Sequence, residues 1–142
     1  MATPTFGYSG KTLAAKLGIK AGMRVAAIGA PVNYEALLGD IPERATIARF
    51  VTKPRSGSTY DIVHLFVKRR SALGPPLAAA LKGVAEGGAL WISWPKKSSP
   101  LFVDLTEDGV REEVLPTGFV DVKVAAVDAD WSALKFLRRR RK

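Results

Sequence analysis

Four short apolar runs constrain the fold of this chain more than any other feature. They are MRVAAI (23–28), TIARFV (46–51), YDIVHLFV (60–67) and ALWISW (89–94). Each is of strand length, and most are apolar on both faces of an extended chain, so both faces need covering. That pattern belongs to the inner strands of a parallel sheet with helices on either side, and the segments between the runs carry helix and turn signals.

After an opening rich in turn formers (Pro4, Gly7, Ser9, Gly10), the segment 11–17 spaces Leu13 and Leu17 for one helical face, with Gly18 as its stop. Asn33 is placed to cap a short helix over 34–38, which Gly39 closes. Residues 53–59, with Pro54, Ser56, Gly57 and Ser58, read as a mobile loop. The longest helix is expected over 71–86, with Pro75 and Pro76 in its first turn, a stripe of Leu73, Leu77, Leu81 and Val84, and Gly87-Gly88 as its end. Thr106 then caps a helix that carries Glu107 and Asp108 at its positive pole and turns Val110, Val114 and Leu115 inward. Residues 119–127 and 133–137 flank Asp128-Ala129-Asp130 as an antiparallel hairpin.

At 142 residues the chain is long enough for one core, with no repeat and no second domain. We divide it into an N-terminal extension with a short helix (1–20), one α/β domain (21–137) and a basic tail (138–142). Cysteine is absent, which excludes disulfides, thiolate metal sites and cysteine nucleophiles, and one histidine excludes multi-histidine metal sites. No basic stretch followed by an apolar run opens the chain, and no run approaches the roughly 20 residues of a membrane span. A cytoplasmic protein without membrane contact is therefore expected. The formal charge is +9, from 22 Lys and Arg against 13 Asp and Glu. Such an excess favours anionic partners without selecting one.

Three stretches in this order resemble class I SAM-dependent methyltransferases. GMRVAAIGAP (22–31) resembles their first strand and cofactor loop, and YDIVHLF (60–66) the strand that presents the catalytic edge. LKGVAEGGALWIS (81–93) is similar to the helix, double-glycine turn and strand that follow. The resemblance implies a Rossmann-like α/β fold, a truncated methyltransferase-like sheet that is mostly parallel with a C-terminal antiparallel hairpin. It also raises SAM as a cofactor. The departures argue against one. The cofactor loop keeps only Gly29 and places Pro31 where a flexible residue is expected, and the second strand ends Phe50-Val51-Thr52-Lys53 without the usual ribose-binding acid. About one strand with its helices is missing between Thr52 and Tyr60. GYSGK…LAAKLGIK (7–20) and WISWPKK (91–97) resemble, more narrowly, a small uncharacterised bacterial family with this shortened fold, which implies no activity.

Ligands of open parallel sheets sit beyond the carboxyl ends of the strands where strand order reverses, here between 23–28 and 60–67. The expected crevice has Gly29, Pro31 and Asn33 as its floor. Lys68, Arg69, Lys96 and Lys97 form its rim, with Trp94 nearby, and together they suit a small anionic ligand such as phosphate. Trp91 and Trp94, three apart on a strand, face opposite sides. His64 lies within an apolar strand and reads as a neutral, hydrogen-bonded core residue, while Asp61 and Asp104 near strand ends have no nameable catalytic partner. Arg138, Arg139, Arg140, Arg141 and Lys142 make a second cationic feature, suited to non-specific nucleic acid. The leading expectation is a non-methylating domain that binds a ligand or partner at the crevice. The alternatives are a reduced methyltransferase and a nucleic-acid-binding protein using the tail.

Overall fold

The computed structural model describes residues 11–140. The apolar runs form one six-stranded sheet. Its strands are β1 (Arg24–Ile28), β2 (Thr46–Phe50), β3 (Tyr60–Phe66), β4 (Val84–Pro95), β5 (Phe119–Ala126) and β6 (Trp131–Arg138), in the order β2-β1-β3-β4-β6-β5. β1 pairs in parallel with β2 and β3, and β3 with β4. β6 lies antiparallel between β4 and β5. Strand order reverses between β1 and β3, as the sequence predicts.

Helices cover both faces. On one side α1 (Leu13–Leu17) and α2 (Tyr34–Leu38) pack on Val25, Ala27, Ile62, Phe66 and Trp91. On the other, α3 (Gly74–Gly83) and α4 (Glu107–Val114) cover Val63, Leu65, Leu90, Ile92 and Trp94. Both tryptophans are thus core residues of opposite layers, and Trp94 is only 5% exposed. The segment expected as an extension contributes Leu13, Leu17 and Ile19 to the core, and the Trp91 indole N–H donates to the Leu17 carbonyl at 3.1 Å. The turn formers of 1–10 lie outside the described residues.

Several boundaries differ from expectation for physical reasons. The helix expected over 71–86 is a 3-10 turn at Arg70–Ala72 followed by α3, which ends at Gly83. Gly87-Gly88 is not a helix stop but part of a bulge in β4. Tyr60 pairs with Val84 and Ile62 with Ala89, so β4 carries three more residues than β3 across that interval. Gly87 takes φ +79°, and a Cβ on Gly88 would lie 2.8 Å from the Asp61 carbonyl oxygen. Only glycine allows that approach. Asn33 makes no side-chain cap, whereas Thr106 accepts from the Gly109 N–H at 3.1 Å. Leu115 is exposed, and Val110 and Val114 alone of the expected trio face the core.

Candidate functional site

The carboxyl end of the sheet is stitched by internal hydrogen bonds. Arg49 projects from β2 opposite Ala27 and donates to the Ala30 and Pro31 carbonyls at 3.1 and 2.8 Å and to the Glu35 carboxylate at 2.7 Å. Its guanidinium therefore straps the turn after β1 to the first turn of α2. Gly29 sits under this strap, so close to β3 that a Cβ would lie 3.1 Å from the Phe66 carbonyl. What opens here is a hollow of about 270 Å³ lined by Gly29, Ala30, Arg49, Phe50 and Val51.

Beneath that end lies a buried polar chain. The Tyr34 hydroxyl and His64 Nδ1 are 2.8 Å apart, and His64 Nε2 is 2.7 Å from the Ser93 hydroxyl. His64 is fully buried, and desolvation lowers its pKa from 6.5 to about 3. Burial also pushes the Tyr34 hydroxyl up, with Glu35 adding to the effect and Arg49 opposing it. The ring is neutral and bonded at both nitrogens, as the sequence predicts for a histidine inside an apolar strand. Its partners have no sequence signature, because they come from α2 and β4.

The residues expected to share one crevice are spread along this edge. Gly29 is in the hollow under Arg49, and Pro31 offers its carbonyl to that arginine. Asn33 is exposed at the start of α2. Lys96 and Lys97 line a different hollow of about 460 Å³, together with Trp94, Thr106 and the carboxylates of Glu107 and Asp108. Lys68 and Arg69 are exposed and line neither hollow. Their neighbour Arg70 donates to Glu112 and Glu113 at 2.8 and 2.9 Å, and its backbone N–H is held by Asp104. Asp61 likewise accepts from the Arg24 backbone, so both strand-end carboxylates serve as braces.

A groove on the opposite flank was not anticipated. The loop 53–59 runs beside α3, anchored where Pro54 packs on Gly83, and turns with the Ser58 N–H donating to the Arg55 carbonyl at 3.2 Å. The two enclose about 570 Å³, into which Lys53, Arg55 and Lys82 bring positive charge and Ser56, Ser58 and Thr59 bring hydroxyls. No lining residue is acidic. The available signal was the coincidence of two cations and three hydroxyls within seven residues. It reads as a generic loop until α3 supplies the facing wall and the third cation.

The tail also has a defined start. β6 runs through Arg138, whose guanidinium donates to the Val84 carbonyl at 3.3 Å and lies 5.0 Å from the centre of the Phe119 ring. The Arg139 N–H donates to the Gly118 carbonyl at 2.7 Å. Arg138, Arg139 and Arg140 line a hollow of about 1030 Å³ with the β4 bulge, which contributes Glu86. Arg141 and Lys142 lie outside the described residues.

No helix of the described residues is long and apolar enough to cross a membrane. No protein-family model matches the sequence, and no curated protein matches it. Solved structures do match its shape. The N-methyltransferase NodS from Bradyrhizobium japonicum is 13% identical with a TM-score of 0.61, over 90% of this chain and 91% of that one. A SAM-dependent methyltransferase from Aquifex aeolicus is 14% identical with a TM-score of 0.59, over 86% and 85%. The magnesium protoporphyrin IX methyltransferase of Synechocystis, solved with bound SAM, is 12% identical with a TM-score of 0.61, over 89% and 74%. The chain has the Rossmann-like fold of class I SAM-dependent methyltransferases.

Proposed function

We propose that this chain is a non-methylating member of that fold class that binds a phosphate-bearing ligand, and that it does so in the groove between loop 53–59 and α3. The observation that carries the reading is the lining of that groove: three cations and three hydroxyls without a carboxylate. Like charges brought together repel one another, and a bound anion relieves the repulsion. Hydroxyls and ammonium or guanidinium groups are the donors that phosphate oxygens take. The groove also falls within the usual size range of ligand sites, about 300–1,000 Å³.

The residues at the carboxyl end do not fit SAM. The place beside the β1 turn is taken by the Arg49 guanidinium, a cation where a sulfonium ligand would need a neutral or acidic neighbour. No acid stands at the end of β2 to receive ribose hydroxyls, and the hollow beside Gly29 is smaller than the groove. The crevice cations are also compromised as an anion site, since Lys96 and Lys97 share their hollow with Glu107 and Asp108.

Thermal melts test the reading, with inorganic phosphate, AMP and SAM as additives and chloride at equal ionic strength as the control for screening. Phosphate and AMP are expected to raise the midpoint above the chloride control. A ligand at 100 times its dissociation constant adds about 2.7 kcal/mol, which such a melt resolves. Lys53→Ala with Lys82→Ala should abolish the gain, and Lys96→Ala with Lys97→Ala should leave it intact. A gain lost in the second variant and kept in the first would return the site to the strand-end crevice. A shift with millimolar SAM would restore the reduced methyltransferase.

A further inference from the structure

The α3 groove and the hollow beneath the tail adjoin. Lys82 and Gly83 line the groove, and Glu86, Gly87 and Gly88 line the hollow. Between them the Val84 carbonyl is held by the Arg138 guanidinium. Tyr60, the register partner of Val84, carries the Arg24 guanidinium 4.7 Å above its ring. One surface thus runs from Lys53 and Arg55 past Lys82 to Arg138, Arg139 and Arg140, with Arg24 alongside. Among the residues that line the two hollows Glu86 alone is acidic, and Asp61 beside them accepts from the Arg24 N–H.

We propose that this surface binds the sugar-phosphate backbone of a nucleic acid, with phosphates in both hollows at once. The inference rests on the proposed groove for one of its two halves. A single phosphate cannot occupy both sides of the 82–88 segment, but a ligand that repeats its charge at nucleotide spacing can. The arginines of the tail are not a loose fringe. Pairing with β5 and β4 carries β6 as far as Arg138, and the Arg139 N–H is fixed on Gly118, so these side chains start from a rigid base. The β4 bulge that opens the second hollow exists because Gly87 and Gly88 allow it. The strip contains no exposed large apolar side chain. Val32, Ile41, Val51, Val103, Leu115, Val122 and Val124, the exposed ones among the described residues, line neither hollow. That favours a nucleic acid over a lipid surface, which takes apolar as well as cationic groups. Among the described residues no exposed aromatic offers a stacking platform, so binding is to the backbone and indifferent to sequence.

The test is fluorescence anisotropy of the whole chain with a labelled 20-nucleotide oligo-dT, oligo-U and a 20-base-pair duplex over a salt series. Two variants are compared: Arg139→Ala with Arg140→Ala, whose side chains make no hydrogen bond in the described structure, and Lys53→Ala with Lys82→Ala. Each should weaken oligonucleotide binding at least fivefold and reduce the salt slope on single strands by about 1.4, the value for two lost phosphate contacts at about 0.7 each. Comparison of the three probes assigns the strand type. The tail variant should keep the full phosphate gain in the melt, which separates this inference from the groove alone. Wild-type oligonucleotide affinity in the tail variant overturns the inference and leaves the phosphate site standing. Wild-type affinity in the groove variant, with its phosphate gain abolished, overturns the two-hollow path. Tighter binding to phosphatidylserine vesicles than to any oligonucleotide also overturns it, in favour of a membrane surface.

Discussion

The carboxyl end of this sheet and the flank formed by α3, the β4 bulge and the tail use the same residue types to opposite ends. At the carboxyl end arginines are answered by carboxylates. Arg49 meets Glu35, and Arg70 meets Glu112 and Glu113. Along the α3 flank Lys53, Arg55 and Lys82 face one another and three hydroxyls. The difference shows why net charge alone locates nothing. A cation with a fixed acid partner is part of the scaffold, and a group of cations without one is where an anion lowers the free energy. In this protein the end of the sheet that usually holds the ligand is braced, and the groove between loop 53–59 and α3 is open.

The largest effect is expected where the carboxyl end is most completely internalised. His64→Phe leaves the buried Tyr34 and Ser93 hydroxyls without their partner, at a cost of about 2–5 kcal/mol. The same substitution reports on pH. His64 in the unfolded chain takes a proton below its ordinary value of 6.5, while in the folded chain it stays neutral down to about 3. Its contribution is therefore complete above the ordinary value and falls with acid through that window, by about 1.4 kcal/mol per pH unit. Denaturant titrations at pH 7 and at pH 4.5 should show wild type losing more stability than His64→Phe. An equal loss in both would remove His64 as the source of acid sensitivity.

A smaller effect separates bracing from binding. Arg49→Ala removes the strap on the β1 turn, and because that guanidinium is one-third exposed the loss is about 1–2 kcal/mol. Amide exchange should quicken in residues 30–35 and stay unchanged in 53–59. The phosphate gain should survive. Its disappearance would mean that the two regions are coupled and that the comparison is wrong.

What was legible in the sequence follows from the range of the forces involved. The inner, parallel character of β1, β3 and β4 is legible because they are apolar on both faces, a local pattern, whereas their order rests on the resemblance to class I methyltransferases. The C-terminal hairpin was marked by Asp128, whose carboxylate accepts from the Asp130 and Trp131 N–H groups, also a local device. Arg49 has no such local signal, because its partners lie 14 to 19 residues away and are mostly backbone carbonyls, which carry no residue code. In the sequence the helix runs past Gly83 because Val84 continues the Leu77–Leu81 spacing. It is pairing with Tyr60 that makes it the first residue of β4. The rule that parallel strands end together assigns Lys68, Arg69, Trp94, Lys96 and Lys97 to the carboxyl edge. The rule places their backbones at one edge, but not Glu107 and Asp108, which share the one hollow that Trp94, Lys96 and Lys97 line.

The smallest expected effect is the sharpest test of the contrast. Lys82 sits in the last turn of α3, where a positive charge gains a few tenths of a kcal/mol from the helix dipole, about 0.3–1 kcal/mol at low salt. Facing Lys53 and Arg55 across the groove, it also meets repulsion of comparable size. The two nearly cancel, so Lys82→Ala should change stability in phosphate-free buffer by no more than about 0.5 kcal/mol. High salt screens both contributions and should leave the difference near zero. Adding phosphate breaks the balance, because the anion turns the repulsive set into its own ligands. Wild type should then become more stable than Lys82→Ala by an amount that grows with phosphate concentration. A lysine that belonged to the scaffold, as Arg49 does, would instead show its loss in every buffer and gain nothing from phosphate.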